Sequence, residues 1–241
     1  MKKIIALFLV ICTLFTFVSC EKEDRTSNND DLYVGYISDS DKFINMPTIR
    51  EYDADTCGTT CIQIIMNWLY PNDLDFDVLA YEELSGTNED GGTEPNQMIN
   101  YFKNQNINYE YKEEMTIEEL IASIDSGFPV ILCIQAWGNK YNLVDPNITE
   151  TYYDGEIKKE VTYKTYLKEG HWVICVGYKK TEEGYSLYFN DPACIGHCII
   201  DANDLQERWI YKDDEGNIYK HFGLAIKETS NYNRDGIFYL N

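Results

Sequence analysis

The chain has 241 residues and a formal net charge of −21 at pH 7, because 41 Asp and Glu residues outnumber 20 Lys and Arg residues. So acidic a chain repels a phosphate backbone, which excludes nucleic acid as an expected partner. Hydrophobic residues make up 44% of the sequence and aromatic residues 14%, enough for a folded core.

The first twenty residues have the pattern of a lipoprotein signal. A positively charged start precedes an apolar run from Ile4 to Val18, which is shorter than the ~20 residues that a transmembrane helix needs. The run ends in Phe17-Val18-Ser19-Cys20, which resembles a lipobox. This resemblance implies that residues 1–19 are a signal peptide and that Cys20 carries lipid. The alternative is an ordinary secretory signal with a chance cysteine at its end.

Residues 20–44 are predicted to be a flexible tether, since the segment after Cys20 is polar and charged. Residues 45–241 then form the folded domain. The expected location is the cell envelope, on the periplasmic or cell-surface side of a bacterial membrane. The lipid anchor is the only membrane contact that we expect.

The first predicted helix begins at Cys57. Apolar side chains recur every three or four positions from there to Pro71, and Asp55 or Thr56 suits the N-cap. A thiol reacts as its thiolate, and a helix N-terminus stabilises negative charge. Cys57 is therefore a candidate nucleophile, although an isolated Cys-Gly at a helix start is more often structural.

Two further helices and several strands follow. The helices are predicted from the caps Thr93-x-Pro95 and Thr116-x-x-Glu119. Apolar runs predict strands at residues 130–136, 172–178, 186–190 and 223–226. The long segment 138–170 is predicted to be a hairpin or a lid. Helices first and strands later favour an α+β, two-lobed domain with a helical N-terminal part and an antiparallel β C-terminal part.

Two polar residues lie at the ends of predicted strands. His171 opens the second strand, and Asp191 follows the third. An imidazole in contact with the Cys57 thiol could act as its base, and a carboxylate could fix the tautomer of that imidazole. Each residue alone is weak evidence, because strand histidines are often core residues and Asp-Pro often begins a turn. Their order, Cys57, His171 and Asp191, is that of papain-like enzymes.

Short motifs in register are spread over most of residues 57–226. They are Asp55-Thr56-Cys57-Gly58, Gly92-Thr93-x-Pro95, Gly127-Phe128-Pro129-Val130, Ile134-Gln135-Ala136-Trp137, Gly170-His171-Trp172-Val173, Val176-Gly177-Tyr178, Asn190-Asp191-Pro192 and Leu205-Gln206-Glu207-Arg208-Trp209. Together they resemble the papain-like peptidases that remove double-glycine leaders from bacteriocins, and their stand-alone relatives. The resemblance implies a papain-like fold and cysteine peptidase activity on a peptide or protein, with Cys57, His171 and Asp191 as the triad.

Glu51 departs from the family pattern. The family places a glutamine six residues before the nucleophile, where its amide donates to the oxyanion, and this sequence has Glu51 there. The oxyanion would then be held by the backbone N–H of Cys57 and by Glu51. Two other functions stay open: a binding or sensor module that no longer catalyses, and an acyl transferase that uses the same thiol.

The segment Cys194-x-x-His197-Cys198 resembles part of a zinc site. It offers three clustered ligands without a matching second pair, so a local disulfide or structural cysteines are preferred. No P-loop, dinucleotide fingerprint or HExxH helix occurs, and we expect neither a cofactor nor a metal. Cys133 and Cys175 lie in apolar runs and are predicted to be buried.

Overall fold

The structure is a computed structural model that describes residues 42–53, 55–71, 78–87, 92–135, 143–154, 156–166, 170–194, 197–213, 216–230 and 232. The predicted signal peptide, the lipidation site Cys20 and most of the predicted tether lie outside these residues. So does Ala136, at the end of the first predicted strand. Within the described part of the chain, no helix is long and apolar enough to cross a membrane.

The described residues form five helices and eleven strands. The helices are α1 (Cys57–Leu69), α2 (Val78–Ser85), α3 (Pro95–Asn104), α4 (Ile117–Asp125) and α5 (Ala202–Arg208). The strands are β1 (Lys42–Phe43), β2 (Tyr109–Lys112), β3 (Val130–Ile134), β4 (Leu143–Asp154), β5 (Ile157–Tyr166), β6 (His171–Thr181), β7 (Gly184–Asn190), β8 (His197–Asp201), β9 (Ile210–Lys212), β10 (Ile218–Lys220) and β11 (Gly223–Ile226). The predicted α+β class is confirmed.

A central antiparallel sheet organises these elements. Its strand order is β2-β11-β3-β6-β7-β8, and β1 pairs with the second half of β6. Two hairpins, β4–β5 and β9–β10, form separate two-stranded sheets. The hairpin predicted within residues 138–170 is therefore confirmed as β4–β5. Strand β1 takes its two residues from the segment predicted to be tether.

Both faces of the central sheet are covered. Successive residues of β6 alternate between two hydrophobic clusters: Trp172 and Ile174 pack with α1, whereas Val173 and Cys175 pack with α4 and α5. Side chains of a strand point alternately to opposite faces, so a strand covered on both sides reads as a continuous apolar run. This explains why β6 and β3 were visible in the sequence as unbroken apolar stretches.

The helix caps agree with the sequence in two cases and differ in one. Thr56 is the N-cap of α1, and Thr116 forms the predicted capping box with Glu119 at the start of α4. Pro95 is the first residue of α3 as predicted, but its N-cap is Glu94 rather than Thr93. The Thr93 carbonyl accepts a hydrogen bond from the Trp172 indole at 2.7 Å, so this residue is held by the sheet.

Candidate active site

His171 and Asp191 meet at one end of two neighbouring strands of the central sheet. Strands β6 and β7 are antiparallel neighbours, and Ile174 pairs with Asn190. The start of β6 therefore lies beside the end of β7, and both residues lie at that end of the strands. His171 Nε2 lies 2.8 Å from Asp191 Oδ1, so the ring donates a hydrogen bond to the carboxylate. Both side chains are buried, with 6% and 1% of their surface exposed.

Cys57 reaches the same end of these strands from the N-terminus of α1. A turn sets the start of this helix: the Thr56 hydroxyl donates to the Asp53 carbonyl at 2.8 Å and accepts from the Asp53 N–H at 3.1 Å. The Thr56 side chain is thus used by the turn and makes no capping bond to the helix. The first turn of α1 carries no acidic residue, which keeps its electrostatic potential favourable to a thiolate.

Gly58 lets the helix start pack tightly against the sheet. A Cβ atom at this position would lie 2.5 Å from Cβ of Thr93 and 3.0 Å from Cδ1 of Trp172. Since real Cβ atoms do not approach other atoms so closely, a larger residue would push α1 away. The glycine of the Cys57-Gly58 pair therefore fixes the distance between the thiol and His171, which precedes Trp172.

His171 contacts Cys57 as well as Asp191. Burial alone would lower the pKa of His171, but hydrogen bonds to Asp191 and Cys57, together with their charges, outweigh burial and raise it to about 10. A histidine with this pKa is an imidazolium at neutral pH. The side chains of Cys57, His171 and Asp191 thus form a continuous row of contacts, from the thiol through the imidazole to the carboxylate. These three residues are called the row below.

Glu51 lies in the same site. One of its carboxylate oxygens, the Cys57 sulfur and a ring nitrogen of His171 all lie within 4.8 Å of one another. The Glu51 backbone N–H donates to the Pro192 carbonyl at 2.8 Å, next to Asp191. The Asn190 side chain donates to the Pro47 carbonyl at 2.7 Å and holds the preceding part of the same segment. The end of β7 therefore positions both Asp191 and Glu51.

Three other thiols, those of Cys61, Cys133 and Cys175, are buried in the hydrophobic core. Cys61 and Cys133 are fully buried; burial raises the pKa of each, and Cys57 adds to the rise. Burial also raises the pKa of Cys175 to about 12. These three stay protonated and inert at neutral pH. The prediction that Cys133 and Cys175 are buried is confirmed.

Cys194 and Cys198 are free thiols on the far side of Asp191 from His171. Their sulfur atoms lie 3.6 and 3.8 Å from Asp191 Oδ2. His197, grouped with them in the sequence, instead packs its ring edge-on against Phe43 at 4.8 Å. Burial lowers the pKa of His197 to about 4. The contact of two thiols with the carboxylate of Asp191 was not predicted, although Asp191 precedes Cys194 by only three residues.

The model of the Peptidase C39 like family matches residues 41–216. The chain belongs to this family. The match covers most of the chain and confirms the papain-like resemblance carried by the motifs around Cys57, His171 and Asp191. Within this C39-like chain, those motifs occupy the start of α1, the start of β6 and the end of β7.

A crystal structure of a candidate C39-like peptidase from Bacillus anthracis has a similar fold. The TM-score is 0.51 at 14% sequence identity, and the match covers 80% of this C39-like chain and 100% of the other. At that identity the similarity concerns the fold. No curated protein matches the chain.

Proposed function

We propose that this chain is a cysteine peptidase of the two-lobed papain-like type, with Cys57 as nucleophile, His171 as its base and Asp191 as the orienting acid. The observation that carries the proposal is the continuous contact from the Cys57 thiol through His171 to Asp191, where β6 begins and β7 ends. Peptide hydrolysis is the chemistry for which such a row is suited, because each member has a separate role.

In the acylation step, the Cys57 sulfur attacks the carbonyl carbon of a peptide bond. A tetrahedral intermediate forms, and His171 gives its proton to the leaving amine as the C–N bond breaks. Asp191 accepts the hydrogen bond from His171 Nε2 and so aims the other ring nitrogen at Cys57. The raised pKa of His171, about 10, keeps this proton available at neutral pH.

In the deacylation step, water attacks the thioester carbon. His171 now takes a proton from that water, and the C–S bond breaks to release the acid and regenerate the Cys57 thiolate with its imidazolium partner. Both steps use the same imidazole, first as acid and then as base. No group beyond the three residues and water is needed for the balance of atoms.

The oxyanion of each tetrahedral intermediate would be held by the backbone N–H of Cys57 and by Glu51. The helix start supplies the first donor, and its dipole favours negative charge there. Glu51 lies beside Cys57 and His171 and serves as a donor only when its carboxyl group is protonated. An ionised carboxylate would repel the oxyanion instead.

The substrate in this proposal is a peptide or protein, and the charge of the chain favours a basic one. A net charge of −21 attracts cationic peptides and repels acidic ones at moderate salt.

The lipobox-like sequence supports anchoring of the enzyme to the cell envelope through lipid on Cys20. Cys20→Ala should therefore shift the protein from the membrane to the soluble fraction, and retention of that variant at the membrane would contradict the anchor.

One observation favours a second candidate, a papain-like module that binds peptides without cleaving them. Glu51 occupies the position at which the family resemblance places an oxyanion-donating glutamine. If Glu51 stays ionised when a peptide is bound, its charge destabilises the oxyanion. The protein would then bind the peptide without cleaving it. The two candidates differ in turnover, while both keep the cleft.

The first test measures thiol reactivity. Wild-type protein is treated with iodoacetamide at pH 7, and modification of Cys57 is followed by peptide mapping in wild type, His171→Ala and His197→Ala. The peptidase proposal predicts that His171→Ala slows alkylation by about tenfold or more, because the imidazolium no longer stabilises the thiolate. His197→Ala is the matched control, since this histidine lies outside the row, and should react like wild type.

The second test measures turnover. A library of peptides with mixed charge is incubated with wild type and with Cys57→Ser, and new termini are identified by mass spectrometry. Cleavage by wild type alone supports the peptidase. A reactive Cys57 with no cleavage of any library peptide favours the binding module. In the first test, an alkylation rate that is unchanged in His171→Ala contradicts the contact between His171 and the Cys57 thiol.

A further inference from the structure

Asp191 contacts a second chemical group besides the imidazole. Its Oδ1 accepts from His171 Nε2 at 2.8 Å and from the Ala193 N–H at 2.8 Å. These two bonds fix the plane of the carboxylate and direct Oδ2 to the opposite side. There Oδ2 faces the sulfur atoms of Cys194 and Cys198. One carboxylate oxygen and two thiols therefore converge at a place that the hydrolytic reaction does not use.

We infer that Asp191, Cys194 and Cys198 form a binding site for a thiophilic divalent metal ion of the Zn²⁺ class. The three ligand atoms all lie within 4.8 Å of one another. With metal–sulfur and metal–oxygen bonds of about 2.3 and 2.1 Å, a tetrahedral ion separates sulfur from oxygen by about 3.6 Å. The observed separations of 3.6 and 3.8 Å match this sulfur–oxygen distance.

The local chain geometry holds the ligands in this arrangement. The Cys194 N–H donates to the Asp191 carbonyl at 3.0 Å, which closes a tight turn directly after β7. Cys198 is the second residue of β8 and pairs with Phe189 of β7. The turn and the sheet thus bring the two thiols to the same side of Asp191. A site with preset ligands loses less conformational entropy when an ion binds.

The surroundings suit a cation that enters from outside. Asp191 is buried, but Cys194 and Cys198 are only partly buried, which gives an ion access to the ligands from solvent. Three protein ligands leave the fourth tetrahedral position for water. His197 is not the third ligand, because its ring packs on Phe43, and Asp191 takes that role.

A disulfide between Cys194 and Cys198 is the competing state of the same thiols. Oxidation would remove two S–H donors from Asp191 Oδ2, whereas an ion would replace them with a stronger positive partner. The contacts of this carboxylate therefore favour the metal. The inference does not depend on peptidase activity, since it concerns Oδ2 and two residues outside the row.

The experiment uses Co²⁺ as a coloured probe of thiolate ligation. Full-length Cys57→Ser, which lacks the thiol of the catalytic row, is reduced under nitrogen with a phosphine and titrated with Co²⁺ at pH 7. Sulfur-to-cobalt charge-transfer absorption and the intense visible bands of tetrahedral cobalt report the ligand set, and Zn²⁺ is then added to displace the cobalt. Any contribution of Cys12 or Cys20 is the same in every variant and cancels in the comparison.

We expect one Co²⁺ per chain with thiolate absorption in Cys57→Ser, and its loss in Cys57→Ser/Cys194→Ser/Cys198→Ser. The matched control Cys57→Ser/Cys175→Ala removes a thiol outside the site and should keep the spectrum. Asp191→Asn in the Cys57→Ser protein keeps both thiols and should weaken cobalt binding by at least about tenfold. It remains informative if the triple variant fails to fold, which near-ultraviolet circular dichroism reveals.

Three outcomes overturn the inference. The first is the absence of thiolate-to-cobalt absorption in Cys57→Ser. The second is an unchanged spectrum after loss of Cys194 and Cys198, or unchanged affinity in Asp191→Asn. The third is a Cys194–Cys198 disulfide that forms in air although Zn²⁺ is present in excess, since a bound ion would protect both thiols.

Discussion

The two faces of the central sheet bury different kinds of side chain. The face that carries α1, α2 and α3 buries several aromatic rings together with the thiol of Cys57. The face that carries α4 and α5 buries mainly aliphatic residues, among them Leu120, Leu187 and Leu205. Polar groups also concentrate on the first side, where Thr59 and Thr93 are buried next to the helix start.

This difference separates chemistry from packing. On the first face, the position of Cys57 depends on polar contacts and on a close approach of Gly58 to the sheet, so small shifts would separate the thiol from His171. On the second face, the described contacts are mainly aliphatic, and none of Cys57, His171 and Asp191 belongs to that cluster. Variants on the two faces should therefore divide into those that change reactivity and those that change only stability.

The largest expected effect is the loss of activity when the row is broken. Cys57→Ala and His171→Ala should each lower kcat on a cleaved peptide by about four orders of magnitude, and the double variant should be little worse, because the residues act as a unit. Stability, followed by thermal unfolding, should change modestly in Cys57→Ala, whereas His171→Ala should also lose the stabilisation that its ion pair with the buried Asp191 provides. A single variant with near-wild-type turnover would contradict the role assigned to that residue.

The next effect tests the comparison of the two faces directly. Leu120→Ala on the second face and Ile64→Ala in α1 both truncate fully buried side chains, and each should lower the free energy of unfolding by about 2–5 kcal/mol. Only Ile64→Ala should also change the rate of Cys57 alkylation, since it alters the packing of α1. The measurements are denaturant unfolding and alkylation well below the midpoint. Equal changes of the alkylation rate in both variants would mean that the faces are not separate.

Much of the fold was predictable because its signals are local. The start of α1, the capping box of α4 and the apolar runs of β3, β6, β7 and β11 all appear in the sequence, since both faces of the sheet are covered. Cys57, His171 and Asp191 could be picked out in the sequence because each lies at the end of one of these elements. Antiparallel pairing of β6 with β7 then brings two of them together.

The rest depended on contacts between distant parts of the chain. Strand β2 gave no hydrophobic pattern, because it lies at the sheet edge with Glu110, Tyr111 and Lys112 exposed. Thr93 was the wrong N-cap because Trp172 holds its carbonyl. The place of Glu51 follows from a bond to Pro192, which no local pattern indicates.

Glu51→Gln should change activity less than loss of the row. A glutamine amide donates to the oxyanion at every pH, whereas Glu51 donates only when protonated. A donor at this position is worth about 2.7–4 kcal/mol, so kcat/KM of Glu51→Gln should exceed that of wild type at high pH and approach it at low pH. The measurement is kcat/KM against pH for both proteins on one peptide. Identical profiles would show that Glu51 does not face the oxyanion.

The smallest effect distinguishes the three histidines by their protonation. The pKa of His171 is raised to about 10 by Asp191 and Cys57 against the effect of burial, whereas burial lowers the pKa of His197 to about 4 and also lowers that of His221. At pH 7, and with a chelator present, one imidazolium and two neutral rings are therefore expected.

The raised pKa of His171 has a definite sign for both stability and activity. Because the folded value lies above the unfolded value of 6.5, the stabilisation is complete below about pH 6.5 and is lost as pH rises through about 10. The leaving amine needs the same proton, so kcat should fall about tenfold for each pH unit above 10.

Carbon-13 NMR of labelled histidines measures the titration, and His197→Gln and His221→Gln assign the two control signals. Asp191→Asn removes the charged acceptor and should move the His171 midpoint down by at least about one unit. Three signals that all titrate near 6.5, or a His171 midpoint that ignores Asp191→Asn, would mean that the carboxylate and the imidazole are not coupled in solution.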